Sequence, residues 1–285
     1  MSEKRLPGNT RKTGKEQFYT PSDTAAAVVS RLATFVDSFS DRVVLEPAGG
    51  TGAFIDAARA HGVRDIVSWD IEPHHREVLQ GDFLRQSLEI QGAVTVSNPP
   101  FGRNNSLAVP FFNHAAQASE YICFVVPRSW RKWSVINRLD ERFELIDDYD
   151  LDINYVDVNG HDAYAKNNLR TCVQTWRRGT QLRPAIRVED RGYVQRSNPL
   201  EADISMTVFG YGCGTVKTEF PRVPNTTQMF LKVQSPAVLK ALAAIDVTRF
   251  SLNTAYTEAL SLPELNYLLN EYFDTKTRRQ SSTRR

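Results

Sequence analysis

Asn98-Pro99-Pro100-Phe101 follows the β-branched run Val94-Thr95-Val96 after the single residue Ser97. Proline fixes φ and removes a backbone donor, so the chain beyond that strand is a stiff, non-helical bracket. It holds a side-chain amide and an aromatic ring in set positions. A second chemical group stands earlier, in Glu46-Pro47-Ala48-Gly49-Gly50-Thr51-Gly52, between a short apolar run and an amphipathic one. A glycine-rich turn at the carboxyl end of a strand is where α/β sheets receive nucleotides and related ligands. No Lys-Ser/Thr follows the last glycine and GxGxxG is absent, so neither phosphate-binding pattern applies. The carboxylate of Glu46 at the strand end would repel a pyrophosphate and attract an ammonium group. Asp70 ends the next strand, about twenty residues on, where an acid accepts from ribose hydroxyls. Asp82 is a third carboxylate, suited to an adenine amino group, and Ile71 and Phe83 are placed to sandwich a ring.

The elements that must position these groups alternate. Strand patterns in DRVVLE, RDIVSWD, GAVTVS, EYICFVVP, FELIDDY and LRTCVQTWRRG are interleaved with helical ones in PSDTAAAVVSRLATFVDSF, AFIDAARAHG, the second part of NSLAVPFFNHAAQAS, and SVINRLDERF. Such alternation predicts an α/β sandwich with a mainly parallel sheet. Beyond about residue 180 the texture changes to short β-rich pieces and then two helices, PAVLKALAAIDVTRF and SLPELNYLLNEYF.

The ordered motifs resemble those of S-adenosylmethionine-dependent methyltransferases that modify adenine N6 in nucleic acid. QFYTP (17–21) resembles that family's N-terminal cofactor motif, EPAGGTGAF (46–54) its glycine-rich motif, DIEP (70–73) and GDFL (81–84) its second and third, and NPPF (98–101) its catalytic tetrapeptide. The order, with the variable region last, resembles the gamma class of DNA adenine methyltransferases. The resemblance covers roughly residues 16–178. It implies a Rossmann-like class I methyltransferase sheet with helices on both faces, plus a small C-terminal α+β region. It implies S-adenosyl-L-methionine as cofactor, held by Phe18, Tyr19, Thr20, Glu46, Pro47, Ala48, Gly49, Gly50, Gly52, Asp70, Ile71, Asp82 and Phe83. Tyr19 and Thr20 would take the methionine end. One departure is visible: DIEP and GDFL are too close to admit the usual helix between them.

The resemblance also explains the bracket. The lone pair of an exocyclic adenine amine is delocalised into the ring. Asn98 and the Pro99 carbonyl would accept hydrogen bonds from that amine, Pro99 and Pro100 would keep the acceptors rigid, and Phe101 would stack on the base. A base within a duplex would have to be flipped out. The implied activity is site-specific, adenine-specific methylation of DNA. RNA methylation by the same mechanism, or a non-catalytic methyltransferase-like binding subunit, is the alternative.

Charge adds expectations about partners. Five Lys/Arg stand against one acid in residues 1–15, eight against two in 165–200, and five against none in 275–285, on a chain of net charge +2. Local basic zones point to an anionic partner, here nucleic acid, with DNA favoured over RNA. Arg103, Asn104, Arg128, Arg131 and Lys132 are the expected contacts, and basic residues interleaved with Trp130 and Trp133 suit phosphate contact and base stacking. The alternative for the two tryptophans is the core. The nine acids of 140–162 are expected to face away from nucleic acid.

Three scattered cysteines predict neither disulfides nor a zinc site, and no metal is expected. No apolar run approaches the ~18 residues of a membrane span, and the basic N-terminus lacks the apolar centre of a secretory signal, so no membrane partner and a cytoplasmic location are expected, host cytoplasm for a viral protein. The expected organisation is a basic disordered segment (1–15), a methyltransferase domain (16–180), a small target-recognition or accessory region (181–274) and a basic disordered tail (275–285).

Overall fold

Strands covered on both faces are predominantly apolar, and four of the runs are buried along most of their length. In the computed structural model, which describes residues 19–162 and 169–282, they form the centre of a seven-stranded sheet. Its strands are β1 (Val44–Glu46), β2 (Ile66–Asp70), β3 (Leu79–Gln80), β4 (Ala93–Ser97), β5 (Ser119–Pro127), β6 (Phe143–Leu151) and β7 (Thr171–Arg178), in the order β3-β2-β1-β4-β5-β7-β6. The pairings from β3 to β5 are parallel, whereas β7 runs antiparallel to both β5 and β6.

Alternation along β4 and β5 divides the core into two layers. Val94, Val96, Tyr121, Cys123 and Val125 meet α1 (Ser22–Ala33) and α2 (Ala53–Ala60), through Ala25, Val28, Val29, Leu32, Phe54 and Ala58. An aromatic group fills the other layer. Phe112 of α3 (Ala108–Ala115) lies within 6.0 Å, between ring centroids, of Phe124, Trp130, Phe143 and Trp176. Helices therefore cover both faces.

The helical pattern of SVINRLDERF is realised only as α4, Trp133–Ile136. Arg183 explains the early stop: its Nη2 donates to the carbonyls of Ile136 at 2.9 Å and Leu139 at 3.1 Å, groups that a longer helix would bond internally. No helix stands between β2 and β3, in agreement with the short DIEP-to-GDFL spacing.

The chain divides at residues 185/186 into two compact units. In the second, β8 (Val194–Arg196), β9 (Ile204–Thr207), β10 (Val216–Lys217) and β11 (Gln228–Val233) form an antiparallel sheet in the order β10-β9-β11-β8. Ile204, Met206, Met229 and Leu231 pack against Val238 and Leu242 of α5 (Pro236–Ala244) and Leu265 and Leu269 of α7 (Leu262–Ser282), with the single turn α6 (Thr248–Ser251) between them. Ser261-Leu-Pro-Glu264 opens α7 as a capping box: the Ser261 N–H donates to the Glu264 carboxylate at 2.8 Å, and the Glu264 N–H donates to Ser261 Oγ at 3.4 Å. The basic stretch 183–196 is strand only at its end. Helix α7 continues to Ser282, into the tail expected to be disordered. Residues 1–15 lie outside the described residues.

Candidate active site

The order β2-β1-β4 places the direction change of the sheet between β1 and β4, and in open α/β sheets the crevice beyond the carboxyl ends of the strands at that point receives ligands. A pocket of about 740 Å³, open mouth included, occupies that position. Tyr19, Pro47, Ala48, Gly50, Asp70, Ile71, Glu72, Gly81, Asp82, Phe83, the whole of Asn98-Pro99-Pro100-Phe101, and Phe111 line it. Two motifs distant in sequence thus share one cavity.

The turn after β1 is tied down by carboxylates. Asp70 Oδ2 accepts the Gly50 N–H at 2.9 Å, and its Oδ1 accepts the Glu72 N–H at 2.8 Å. Asp70 is thereby fixed at the pocket wall, and each oxygen keeps a lone pair for a further donor. Gly50 has φ +47°, and a Cβ there would stand 2.8 Å from the Tyr19 ring, so only glycine lets Tyr19 close over the turn. Tyr19 is held by paired backbone bonds with Val156. Burial, with the charges of Asp70 and Glu72, pushes its hydroxyl up to about 12, so it faces the pocket as a neutral donor.

Glu46 stands behind this wall. It is 1% exposed, and its Oε1 accepts from the Ala48 N–H at 3.0 Å and from Ser97 Oγ–H at 2.5 Å. Burial pushes its carboxyl up to about 8, while the Ser97 and Ala48 bonds act the other way. Gly49 packs against Ser68 and Val78, Gly52 against His75, and Thr20 is buried. None of these four is a lining residue. Phe18 lies outside the described residues.

On the opposite wall, Phe83 is buried against Phe111 and His114, with ring centroids 5.3 and 4.8 Å away, while Ile71 is half exposed. Asp82 lines the pocket, but its Oδ1 accepts the Leu84 N–H at 3.1 Å and its Oδ2 lies 3.3 Å from Arg85. Phe111, Glu72 and Gly81 are lining residues not singled out from the sequence, Gly81 being the first residue of GDFL. Phe111 lies four residues into α3, where its periodicity reads as ordinary core. Glu72 was legible as part of DIEP.

The bracket is supported from behind. Phe101 packs on Ile153 and Tyr155, and its carbonyl accepts the N–H groups of Leu107 and Ala108. Asn104 and Asn105 then adopt φ of +54° and +59°, a conformation uncommon for residues other than glycine and most accessible to asparagine. Asn105 Nδ2 donates to Ser129 Oγ at 3.2 Å, and Arg138 Nη2 donates to the Asn104 carbonyl at 3.2 Å. Arg103 and Asn104 remain exposed beside the bracket.

The basic segment 128–132 differs from the reading of the sequence. Arg131 makes a forked ion pair with Asp148 and reaches Asp150 at 2.6 Å, and Arg128 pairs with Asp150 at 2.9 Å. Two acids of β6, Asp148 and Asp150, are therefore the ion-pair partners of these arginines. Trp130 is fully buried in the aromatic layer, and Trp133 is half-buried. Lys132 is half-buried too. Of the polar stretch 159–168, residues 163–168 lie outside the described residues.

Among the described residues no His, Cys, Asp and Glu side chains gather as a metal-ligand set, and no helix is long and apolar enough to cross a membrane.

The sheet thus combines five parallel strands in the order 3-2-1-4-5, an antiparallel strand 7 inserted between 5 and 6, and a pocket at the β1/β4 switch point. The fold is Rossmann-like, a doubly wound sheet with one inserted antiparallel strand, the kind of sheet that the motif resemblance implies. No family model matches the chain, and no curated protein matches it. Among solved structures, the chain is similar to a candidate RNA methyltransferase of Pyrococcus horikoshii, at 16% identity over 62% of this chain and 93% of that one, with a TM-score of 0.47. It is also similar to a candidate class I S-adenosylmethionine-dependent methyltransferase of Listeria monocytogenes (14%, 62% and 66%, TM-score 0.45). A third similar structure is the modification subunit of a candidate type I restriction enzyme of Vibrio vulnificus (18%, 57% and 44%, TM-score 0.43).

Proposed function

We propose that this chain binds S-adenosyl-L-methionine and methylates the exocyclic N6 amine of adenine in DNA. The observation that carries the reading is that Asn98-Pro99-Pro100-Phe101 and the Asp70/Ile71/Asp82/Phe83 set line the same pocket.

The residues present fit the cofactor. Its adenosine would lie along the wall made by Ile71, Asp82 and Phe83, with ribose hydroxyls donating to Asp70. Its methionine end would lie under Tyr19 along Pro47, Ala48 and Gly50. When bound, it supplies an electrophilic methyl group on a sulfonium. A glycine-walled turn approached by an aromatic ring leaves room for such a ligand where a side chain would fill it. Glu46, behind the turn, favours a positive ammonium over a phosphate.

The chain's own part in transfer is orientation and hydrogen-bond acceptance. Asn98 Oδ1 and the Pro99 carbonyl accept from the target amine and draw its nitrogen away from conjugation with the ring. Asn98 is neutral and takes no proton: as the amine would gain the methyl group the carbon–sulfur bond would break and leave a neutral thioether, and the cationic nitrogen so formed would be acidic enough to pass its proton to water without a strong base. Phe101, fixed by Ile153 and Tyr155, offers its face to the base. Pro99 and Pro100 keep the acceptors from relaxing, so reorganisation is small when the transition state forms. Arg103 and Asn104, exposed on the following turn, are placed to meet the phosphate backbone. Arg128 and Arg131 are already committed to Asp148 and Asp150 and take no part.

Preference for DNA over RNA rests on the gamma-like motif order and the N-terminal cofactor motif. The test is transfer of labelled methyl from S-adenosylmethionine to duplex DNA, single-stranded DNA and RNA in parallel, followed by nucleoside analysis. N6-methyladenine in DNA is the expected result. Label confined to RNA overturns the substrate and keeps the chemistry. No label in any of them, with cofactor bound, leaves the binding-subunit reading.

A further inference from the structure

Glu46 and Ser97 end neighbouring strands β1 and β4, and their side chains meet in the interior. Ser97 Oγ–H donates to Glu46 Oε1 at 2.5 Å, and the same oxygen accepts the Ala48 N–H at 3.0 Å. Ser97 is fully buried and Glu46 nearly so. Ala48 belongs to the wall of the cofactor side, and Ser97 is covalently joined to Asn98 on the substrate side. One carboxylate oxygen therefore holds both halves of the pocket by one hydrogen bond each. The NPPF tetrapeptide itself does not require a hydroxyl before it, and nothing in its spacing foretells this contact.

We propose that Ser97 is a positioning residue that couples occupancy of the cofactor side, through Glu46, to the placement of Asn98. The inference rests on the functional reading given above. Arrival of a cationic ligand at the β1 turn favours the ionised form of Glu46, and the carboxyl proton passes to solvent. The Ser97 bond then changes from a hydroxyl-to-acid to a hydroxyl-to-carboxylate bond, which is stronger. The end of β4, and Asn98 with it, is held more firmly when ligand is present than when it is absent.

The groups around Glu46 agree with this. Burial is the main force holding its proton, and Asp70, at the end of β2, adds to it. Tyr19 and Glu72 lie further out on the pocket wall, where their interactions are with Asp70 and with each other. On β4 the facing group is the Ser97 hydroxyl, which favours the charged form.

The test follows the Glu46 carboxyl in the ligand-free protein by its infrared stretch, together with S-adenosylmethionine affinity by calorimetry across pH and kcat on nucleic acid. The wild-type carboxyl is expected to titrate near pH 8, with cofactor affinity rising up to that pH and proton uptake by the buffer on binding. Ser97→Ala is expected to move the midpoint upward by about one unit, the worth of one hydrogen bond, and so to weaken cofactor binding at neutral pH by up to about ten-fold. It should also lower kcat at saturating cofactor, where Glu46 is ionised in any case, by roughly ten- to a hundred-fold through misplacement of Asn98. Ser97→Thr keeps the hydroxyl and is expected to restore both. Glu46→Gln should abolish the pH dependence of binding.

A merely structural Ser97 would lower thermal stability and leave the midpoint in place; that outcome overturns the proposal. So does a raised midpoint with kcat unchanged. If the wild-type carboxyl titrates as described but the chain binds no S-adenosylmethionine, the functional reading falls and takes the coupling with it. Should Ser97→Ala fail to fold, Ser97→Thr and Glu46→Gln still decide: an unchanged pH dependence in Glu46→Gln is fatal.

Discussion

The segments that leave β4 and β5 invite comparison. Both strands are parallel neighbours, both end against proline, and both continue into polar sequence: Asn98-Pro-Pro-Phe-Gly-Arg-Asn-Asn after β4, Pro127-Arg-Ser-Trp-Arg-Lys-Trp after β5. After β4, the amide, prolines and ring line a cavity, and the exposed cation follows. After β5, the tryptophan is core and two of the cations are closed off by acids from β6. Rigid geometry was thus a better guide to which residues line the cavity than charge was to which cations stay open. A bracket made by prolines keeps its shape wherever it is placed, whereas a guanidinium is available only if no carboxylate reaches it first.

The comparison can be broken by experiment. Trp130→Ala is expected to have the largest effect, a loss of about 3–5 kcal/mol of stability on emptying a packed aromatic site; denaturant unfolding measures it. A small loss would return Trp130 to the list of stacking residues. Asn98→Ala should lower turnover by about 10²–10³-fold, the cost of removing one preorganised transition-state contact, with cofactor affinity unchanged by calorimetry. Equal loss of cofactor binding would make Asn98 structural.

Glu46→Gln sharpens the β4 side of the comparison. The folded carboxyl titrates near 8, above its ordinary 4.5, so its contribution to stability is present below about pH 4.5 and is lost as pH rises towards 8. The ligand-free wild type should therefore lose melting temperature across that window, and Glu46→Gln should lose less. Parallel pH curves for the two would place Glu46 outside the pocket's electrostatics. Arg131→Ala should cost about 1–3 kcal/mol, less than a fully buried pair because the groups are about one-fifth exposed, and should leave DNA affinity unchanged. Arg103→Ala is the smallest: near-normal stability, weaker DNA binding, and a salt slope lower by about one. If Arg131 and Arg103 exchange these phenotypes, the contrast between the two segments is reversed.

Much of the fold was legible because its evidence is local. Apolar runs such as VTVS and YICFVV specify buried strands by composition, and Ser261-Leu-Pro-Glu264 announces a helix start within four residues. The short connection between DIEP and GDFL excluded a helix by length alone. Where a helix ended was less legible: α4 stops because Arg183, far along the chain, takes its carbonyls. Phe111 looked like core and is also pocket wall, since a helical residue can serve both at the edge of a layer.

What the sequence determined by itself was the order of strand–turn units and the bracket's rigidity, because hydrophobic periodicity, glycine and proline act on the residues that carry them. What the tertiary structure alone decided was the fate of each charge. Glu46 was placed behind the wall on Ser97, 51 positions away, Arg131 on Asp148 and Asp150, 17 and 19 away, and Asp70 at the pocket surface. A charge's state depends on burial and on its nearest opposite or donor, and both are set by chain segments that meet only when the sheet assembles.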